Sequence, residues 1–91
     1  MNLKIITPDK LVLNEEVDSV TLPGELGEMT VLPGHAMLVS QLSSGKLYFK
    51  KPDREGKEVV TTYRIGKGLM EVQKDSLVIL TSEAVSQQGL L

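Results

Sequence analysis

The chain has 91 residues, no cysteine, one histidine and a net charge of −2. That length allows one domain with a modest core, and the lack of cysteine excludes disulfides, thiolate metal sites and cysteine nucleophiles. The interleaved charges form no basic stripe of the kind that neutralises nucleic-acid phosphates.

Taken from the start, Met1-Asn2-Leu3-Lys4-Ile5-Ile6 lacks the long apolar core of a signal peptide. Leu3, Ile5 and Thr7 alternate with Lys4 and Ile6, which predicts a strand, and Thr7-Pro8-Asp9 ends it. Glu15 and Glu16 are expected at a solvated turn. A second alternation sets Asp18, Val20 and Leu22 against Ser19 and Thr21, and breaks at Pro23-Gly24. The longest uncharged run, Met29 to Gly45, is interrupted by Pro33-Gly34 and is too short to span a bilayer. Leu47 and Phe49 point one way while Lys46, Tyr48 and Lys50 point the other. A charged hairpin tip at Pro52-Asp53-Arg54-Glu55-Gly56-Lys57 follows. Val59, Thr61, Tyr63 and Ile65 then share one face. The continuous run Leu77-Val78-Ile79-Leu80 predicts a strand covered on both faces. The end, 82–91, is the one stretch that could start a helix, but its length and Gly89 predict a frayed tail instead. Many short strands at this turn spacing predict an all-β sandwich or barrel.

The residues offer little chemistry. A nucleophile–base–orienter set needs a base, and His35 is the single histidine. It sits in the turn Leu32-Pro33-Gly34-His35-Ala36, where it bonds local backbone or meets a partner. Scattered carboxylates with one histidine build no metal cage. Glu15 and Glu16 are adjacent, so on a strand they point to opposite faces and cannot act as one acid–base pair. Gly24-Glu25-Leu26-Gly27-Glu28 lacks the lysine and hydroxyl of a P-loop. Gly66-Lys67-Gly68 precedes a strand rather than a helix N-terminus and reads as a bulge or close backbone approach. Tyr48, Phe49 and Tyr63 are too few for a stacking platform.

Four segments carry a family resemblance: Ile5-Ile6-Thr7-Pro8-Asp9, Glu16 through Gly24, Gly27-Glu28-Met29-Thr30-Val31-Leu32-Pro33-Gly34-His35-Ala36, and Gly68-Leu69-Met70-Glu71-Val72 with the strand 76–81 and its exit Ser82-Glu83-Ala84. In this order they resemble the N-terminal domain of the epsilon subunit of F-type ATP synthase, called delta in mitochondria. The Pro-Gly-His-Ala turn and the Gly-x-x-Glu-Val strand are weak singly and specific together. Lys67 stands where the family usually has glycine, and Met29-Thr30-Val31 replaces the more usual Leu-Gly-Ile.

The resemblance implies an all-β fold: a flattened two-sheet sandwich or barrel of about ten short strands. Residues 1–83 would form the sandwich and 84–91 a short frayed tail. It implies a non-catalytic rotor subunit of the central stalk, without cofactor, that couples proton flow to ATP synthesis. Such a subunit binds gamma on one side and the c ring on the other, and reaches the catalytic head through gamma. His35, Met70 and Val72 are expected on the gamma side, and Glu28, Leu42, Ser43 and Ser44 on the c-ring side. Neither nucleic acid nor direct membrane insertion is expected. The implied location is peripheral, on the cytoplasmic face of a bacterial plasma membrane. The sequence stops about where the family's two-helix hairpin would begin; whether a naturally short form or a piece of a longer protein, the chain as it stands is expected to lack that brake on ATP hydrolysis. The alternative is a free-standing β-sandwich ligand-binding module, which requires a concave aromatic patch.

Overall fold

The computed structural model describes residues 1–87, and all of its regular structure is β. Ten strands follow in chain order: β1 Asn2–Ile6, β2 Leu11–Glu16, β3 Ser19–Gly24, β4 Gly27–Val31, β5 Leu38–Leu42, β6 Gly45–Pro52, β7 Glu58–Ile65, β8 Gly68–Gln73, β9 Ser76–Thr81 and β10 Ala84–Ser86. The hydrogen-bonded path runs β10-β7-β6-β3-β5-β8-β9-β1-β2, with β4 added on β3. The path is pinched in one place, where β3 meets β5 through the single pair Gly24–Leu42. On one side of that pinch lie β10, β7, β6, β3 and β4; on the other lie β5, β8, β9, β1 and β2. The two halves form a sandwich, one of the two forms expected from the turn spacing and the flattened one that the resemblance implies, with extents of 35 × 32 × 25 Å.

Alternation builds the core. Leu3 and Ile5, Val20 and Leu22, Leu47 and Phe49, Met70 and Val72, and Leu77 and Ile79 all point inward and are buried. Each such side chain contributes roughly 1.5–3 kcal/mol by leaving water. The buried polar groups are threonines. Thr81 donates its hydroxyl to the carbonyl of Gly66 at 2.9 Å, and Thr21 bonds Thr30 across β3 and β4 at 3.0 Å. No buried side-chain nitrogen or oxygen among the described residues lacks a partner, as a small core requires.

Two glycines fix the backbone where little else fits. Gly34 has φ 84° in the turn after β4, a conformation that L side chains rarely adopt. Gly68 lies so close to β9 that a Cβ there would stand 1.9 Å from the carbonyl oxygen of Leu80. Asp75 turns β8 into β9 at φ 60°, which aspartate tolerates better than most residues.

The one parallel pairing among the described residues, β1 with β9, joins the start of the chain to its late part. It is clasped at Met1. The α-ammonium donates to Glu16 at 2.9 Å and to the carbonyl of Val17 at 3.2 Å, and lies 3.8 Å from Asp75. The Glu16 hydrogen bond, aided by the charges of Glu16, Asp75 and Asp18, raises the amine above its ordinary value against the opposing effect of burial. A raised folded pKa stabilises the fold fully below the unfolded value, near pH 8, and the gain is lost as pH rises through the folded value. The melting temperature of the chain with this free amine is therefore expected to fall as the pH rises above about 8. Glu16→Gln should flatten that part of the curve, which a pair of thermal melts across the range measures.

Three local expectations are corrected. Glu15 and Glu16 lie in β2, not at a turn, because each has a cationic partner: Lys51 for Glu15 and the α-ammonium for Glu16. The run 77–80 is not covered on both faces: Leu77 and Ile79 are buried, but Leu80 is 48% exposed. Residues 84–86 are not frayed. They form β10, which pairs with β7 through Ala84–Ile65, Val85–Arg64 and Ser86–Tyr63. The rest of the expected tail, 88–91, lies outside the described residues.

Candidate partner-binding surface

His35 follows Gly34 in the turn after β4, and its backbone N–H donates to the carbonyl of Leu32 at 3.1 Å. Its ring Nδ1 lies 2.7 Å from the carbonyl oxygen of Ala36. A carbonyl only accepts, so Nδ1 carries the proton and Nε2 faces outward. The ring is exposed and makes no ion pair with a carboxylate among the described residues. Among the described residues no three of the histidine, aspartate and glutamate side chains converge as a metal site. Phe49 is buried and stacks on Tyr63, with centroids 6.3 Å apart and planes at 25°. Two of the three aromatics are thereby spent on packing, and no concave aromatic patch forms.

The residues expected to meet partners divide into three that lie in the core and four that reach the surface. Met70 is 0% exposed, Val72 2% and Leu42 4%. None of their side chains can touch a partner on the folded domain, so the expectation for these three is corrected. The physical reason is strand phase: on β8 the inward positions are 70 and 72, and on β5 the inward position is 42. Glu28 and Ser44 are exposed and Ser43 is half-buried. These three converge near Pro23, since Glu28 pairs with Pro23 across the β3–β4 hairpin and the Ser43 N–H donates to the Pro23 carbonyl at 2.8 Å. His35 is remote from them, because its turn follows Val31, which pairs with Val20 at the far end of that hairpin.

The hairpin tip beside Glu28 is both acidic and apolar. Glu25, Glu28 and a fully exposed Leu26 project there. Leu26 was not singled out from the sequence, and an exposed leucine alone carries no information. Its signal is its place on a glycine-bounded tip between two glutamates.

A second surface emerges from the same phase that buries Met70 and Val72. Their outward neighbours on the β5–β8–β9–β1–β2 half form rows across the strands. One row runs Gln41–Leu69–Leu80–Ile6–Leu11 by direct pairing, and the next runs Val39–Glu71–Val78–Lys4–Asn14. Leu69 is 43% exposed, Leu80 48%, Leu11 52% and Val39 64%. Val39, Leu69, Val78 and Leu80, with Glu71, line a cleft of about 110 Å³. Scattered exposed apolar residues are ordinary, but a contiguous row on one sheet face marks an interaction site. The sequence carried this row in the odd-numbered phase of β8. The continuous reading of 77–80 concealed it, because that reading left Leu80 no outward direction.

Fold and surfaces together define a β-sandwich domain, with an apolar sheet face and an acidic hairpin end. The chain belongs to the family of ATP synthase delta/epsilon chain β-sandwich domains, whose family model matches residues 1–87. Among curated relatives, the ATP synthase epsilon chain of Hydrogenobaculum sp. is 38% identical over 85 residues, covering 93% of this chain and 58% of the relative. That of Trichlorobacter lovleyi is 42% identical over 84 residues, covering 92% and 57%. The chain thus spans a little over half the length of these relatives. A chain in the structure of Euglena gracilis mitochondrial ATP synthase, OSCP/F1/c-ring, superposes with a TM-score of 0.78 at 33% identity, over 96% of this chain and 53% of that one. A chain of the Tetrahymena thermophila mitochondrial ATP synthase central stalk/c-ring shares the fold at a TM-score of 0.77 and 14% identity, over 99% and 69%. No helix of the described residues is long and apolar enough to cross a membrane.

Proposed function

We propose that this chain is the non-catalytic epsilon-type rotor subunit of a proton-translocating ATP synthase, seated between gamma and the c ring at the foot of the central stalk. The observation that carries the reading is the contiguous apolar face around Leu69 and Leu80 on a domain of this family. That face takes gamma, with His35 at its margin: β5, which follows the His35 turn, pairs with β8 from Leu38–Val72 onward. The acidic hairpin end takes the ring, through Glu28, Ser43 and Ser44, with Leu26 as an added apolar contact. An exposed ion pair at Glu28 contributes only about 0–1 kcal/mol, so it orients the domain more than it holds it.

A rotor part needs stiffness and an interface that does not slip. The packed core supplies stiffness, since protein interiors resist compression. A permanent rotor joint is expected to bury about 2,000 Å² or more in total, more than the apolar rows alone provide. Gamma therefore also covers their polar margins, Gln41 and Glu71. Through gamma the domain reaches the catalytic head, and the whole lies peripherally on the cytoplasmic face of a bacterial plasma membrane. Braking of ATP hydrolysis by a helical hairpin needs residues other than these, and the proposed role is coupling. The direct test is capture: the chain should bind purified gamma at equal stoichiometry and with slow dissociation. Failure to bind gamma contradicts the reading.

A further inference from the structure

The hairpin tip and the apolar face are joined by one small structure. Strand β3 pairs with β6 over Ser19 to Thr21 and then turns to β5, which it meets at the pair Gly24–Leu42. Two backbone hydrogen bonds bracket that pair. The Ser43 N–H donates to the Pro23 carbonyl at 2.8 Å, and the Glu25 N–H donates to the Gln41 carbonyl at 3.2 Å. Leu22 and Leu42 are buried and anchor the two segments in the core. Segment 23–25 is thus clamped onto segment 41–43.

Each side of the clamp leads to one of the two surfaces. From Gly24 the chain runs directly into the tip that carries Leu26 and Glu28. On β5, Gln41 pairs with Leu69 and so begins the row that continues to Leu80. Gln41 therefore holds the tip with its carbonyl and opens the apolar row with the same residue. Gly24 leaves no slack in the joint. A Cβ there would stand 2.6 Å from the carbonyl oxygen of Gly27, inside the tip itself, so a side chain at this position must displace the tip.

We infer that this clamp is the path of force between the two surfaces, with Gly24 and the Glu25 N–H as the positioning groups that hold the hairpin tip at a fixed angle to the apolar face. The inference rests on the rotor reading above and adds the element inside the domain that a turning load crosses. A tip carried by the β3–β4 ladder alone would bend beyond Thr21, where β3 parts from β6. The two hydrogen bonds to β5 pass the load instead to the sheet that carries Leu69 and Leu80. Behind them lies a packed core, which yields little to compression.

Two substitutions in the whole chain test it. Gly24→Ala crowds the Gly27 carbonyl, and Glu25→Pro removes the N–H that Gln41 accepts. Glu25→Gln is the reference for the second, since it loses the same charge and keeps the N–H. In the free chain, amide hydrogen exchange at Ser43 should quicken about tenfold in Gly24→Ala and Glu25→Pro, as loss of a hydrogen bond allows, while β8 and β9 stay protected. Affinity for gamma should hold at the wild-type value in both. With complexes lacking the epsilon subunit in vesicles and the chain at saturation, ATP synthesis should fall at least about twofold in Gly24→Ala against wild type, and in Glu25→Pro against Glu25→Gln. If exchange at Ser43 quickens and synthesis does not fall, the load does not cross the clamp. If exchange at Ser43 stays at the wild-type rate in both variants, the clamp does not hold the tip, and the inference is equally wrong. If the wild-type chain itself binds gamma and restores no synthesis, the rotor reading fails, and this inference with it.

Discussion

Met70→Ala is expected to destabilise the domain by about 2–5 kcal/mol, the cost of emptying a methionine-sized space in a packed core. Met70 is fully buried among Leu3, Ile5, Leu77, Ile79 and the other members of a single apolar cluster. A domain of this size has roughly 5–14 kcal/mol of stability in total, at about 0.05–0.15 kcal/mol per residue. The substitution therefore removes a large fraction of it, and the urea midpoint should fall steeply with little change in slope. Affinity for gamma, corrected for the fraction folded, should stay as it was. A variant with wild-type stability and lost gamma binding would place Met70 on the surface and contradict the packing.

The opposite signature is expected one residue away. Leu69→Thr with Leu80→Thr removes two exposed apolar side chains that face each other across β8 and β9. Threonine keeps the strand preference, and a cross-strand threonine pair is itself favourable. Stability should change by no more than about 0.5 kcal/mol per site. Binding to gamma should weaken by at least about thirtyfold, the equivalent of 2 kcal/mol at the centre of an interface. Calorimetric titration reads this directly. Wild-type affinity in the double variant would move the gamma surface elsewhere on the domain.

The contrast between positions 69 and 70 also shows how far the sequence could be read. Alternation located the strands and their inward faces at Leu3 and Ile5, Leu47 and Phe49, and Thr61 and Ile65. The turn residues Pro23-Gly24 and Pro33-Gly34 fell where strands end, because their backbone preferences are local. What stayed hidden depended on pairing between distant segments. β10 exists because β7 offers it an edge at 63–65, and nothing within 84–86 announces that. Glu15 and Glu16 join a strand because Lys51 and the α-ammonium, far along the chain, balance their charge.

Of the candidate site, the exposure of Glu28, Ser44 and His35 was legible, since polar residues at or beside turns are exposed on almost any fold. Met70, Val72 and Leu42 were misplaced because apolar residues suit a core and an interface equally well. Only the phase of the strand against its neighbours decides between the two. That same phase turned Leu69, Leu80 and Leu11 into one row, and the row includes strands far apart in sequence.

The central claim is that this domain couples rotation through its surfaces rather than through any reactive group. Reconstitution tests it most directly. ATP synthase complexes lacking the epsilon subunit are placed in vesicles, a proton gradient is imposed, and ATP synthesis is measured with and without the added chain. Restored synthesis that tracks one bound chain per gamma is the expected result. If the chain binds and synthesis stays at the level of the depleted complex, it does not couple, and the proposed role is wrong.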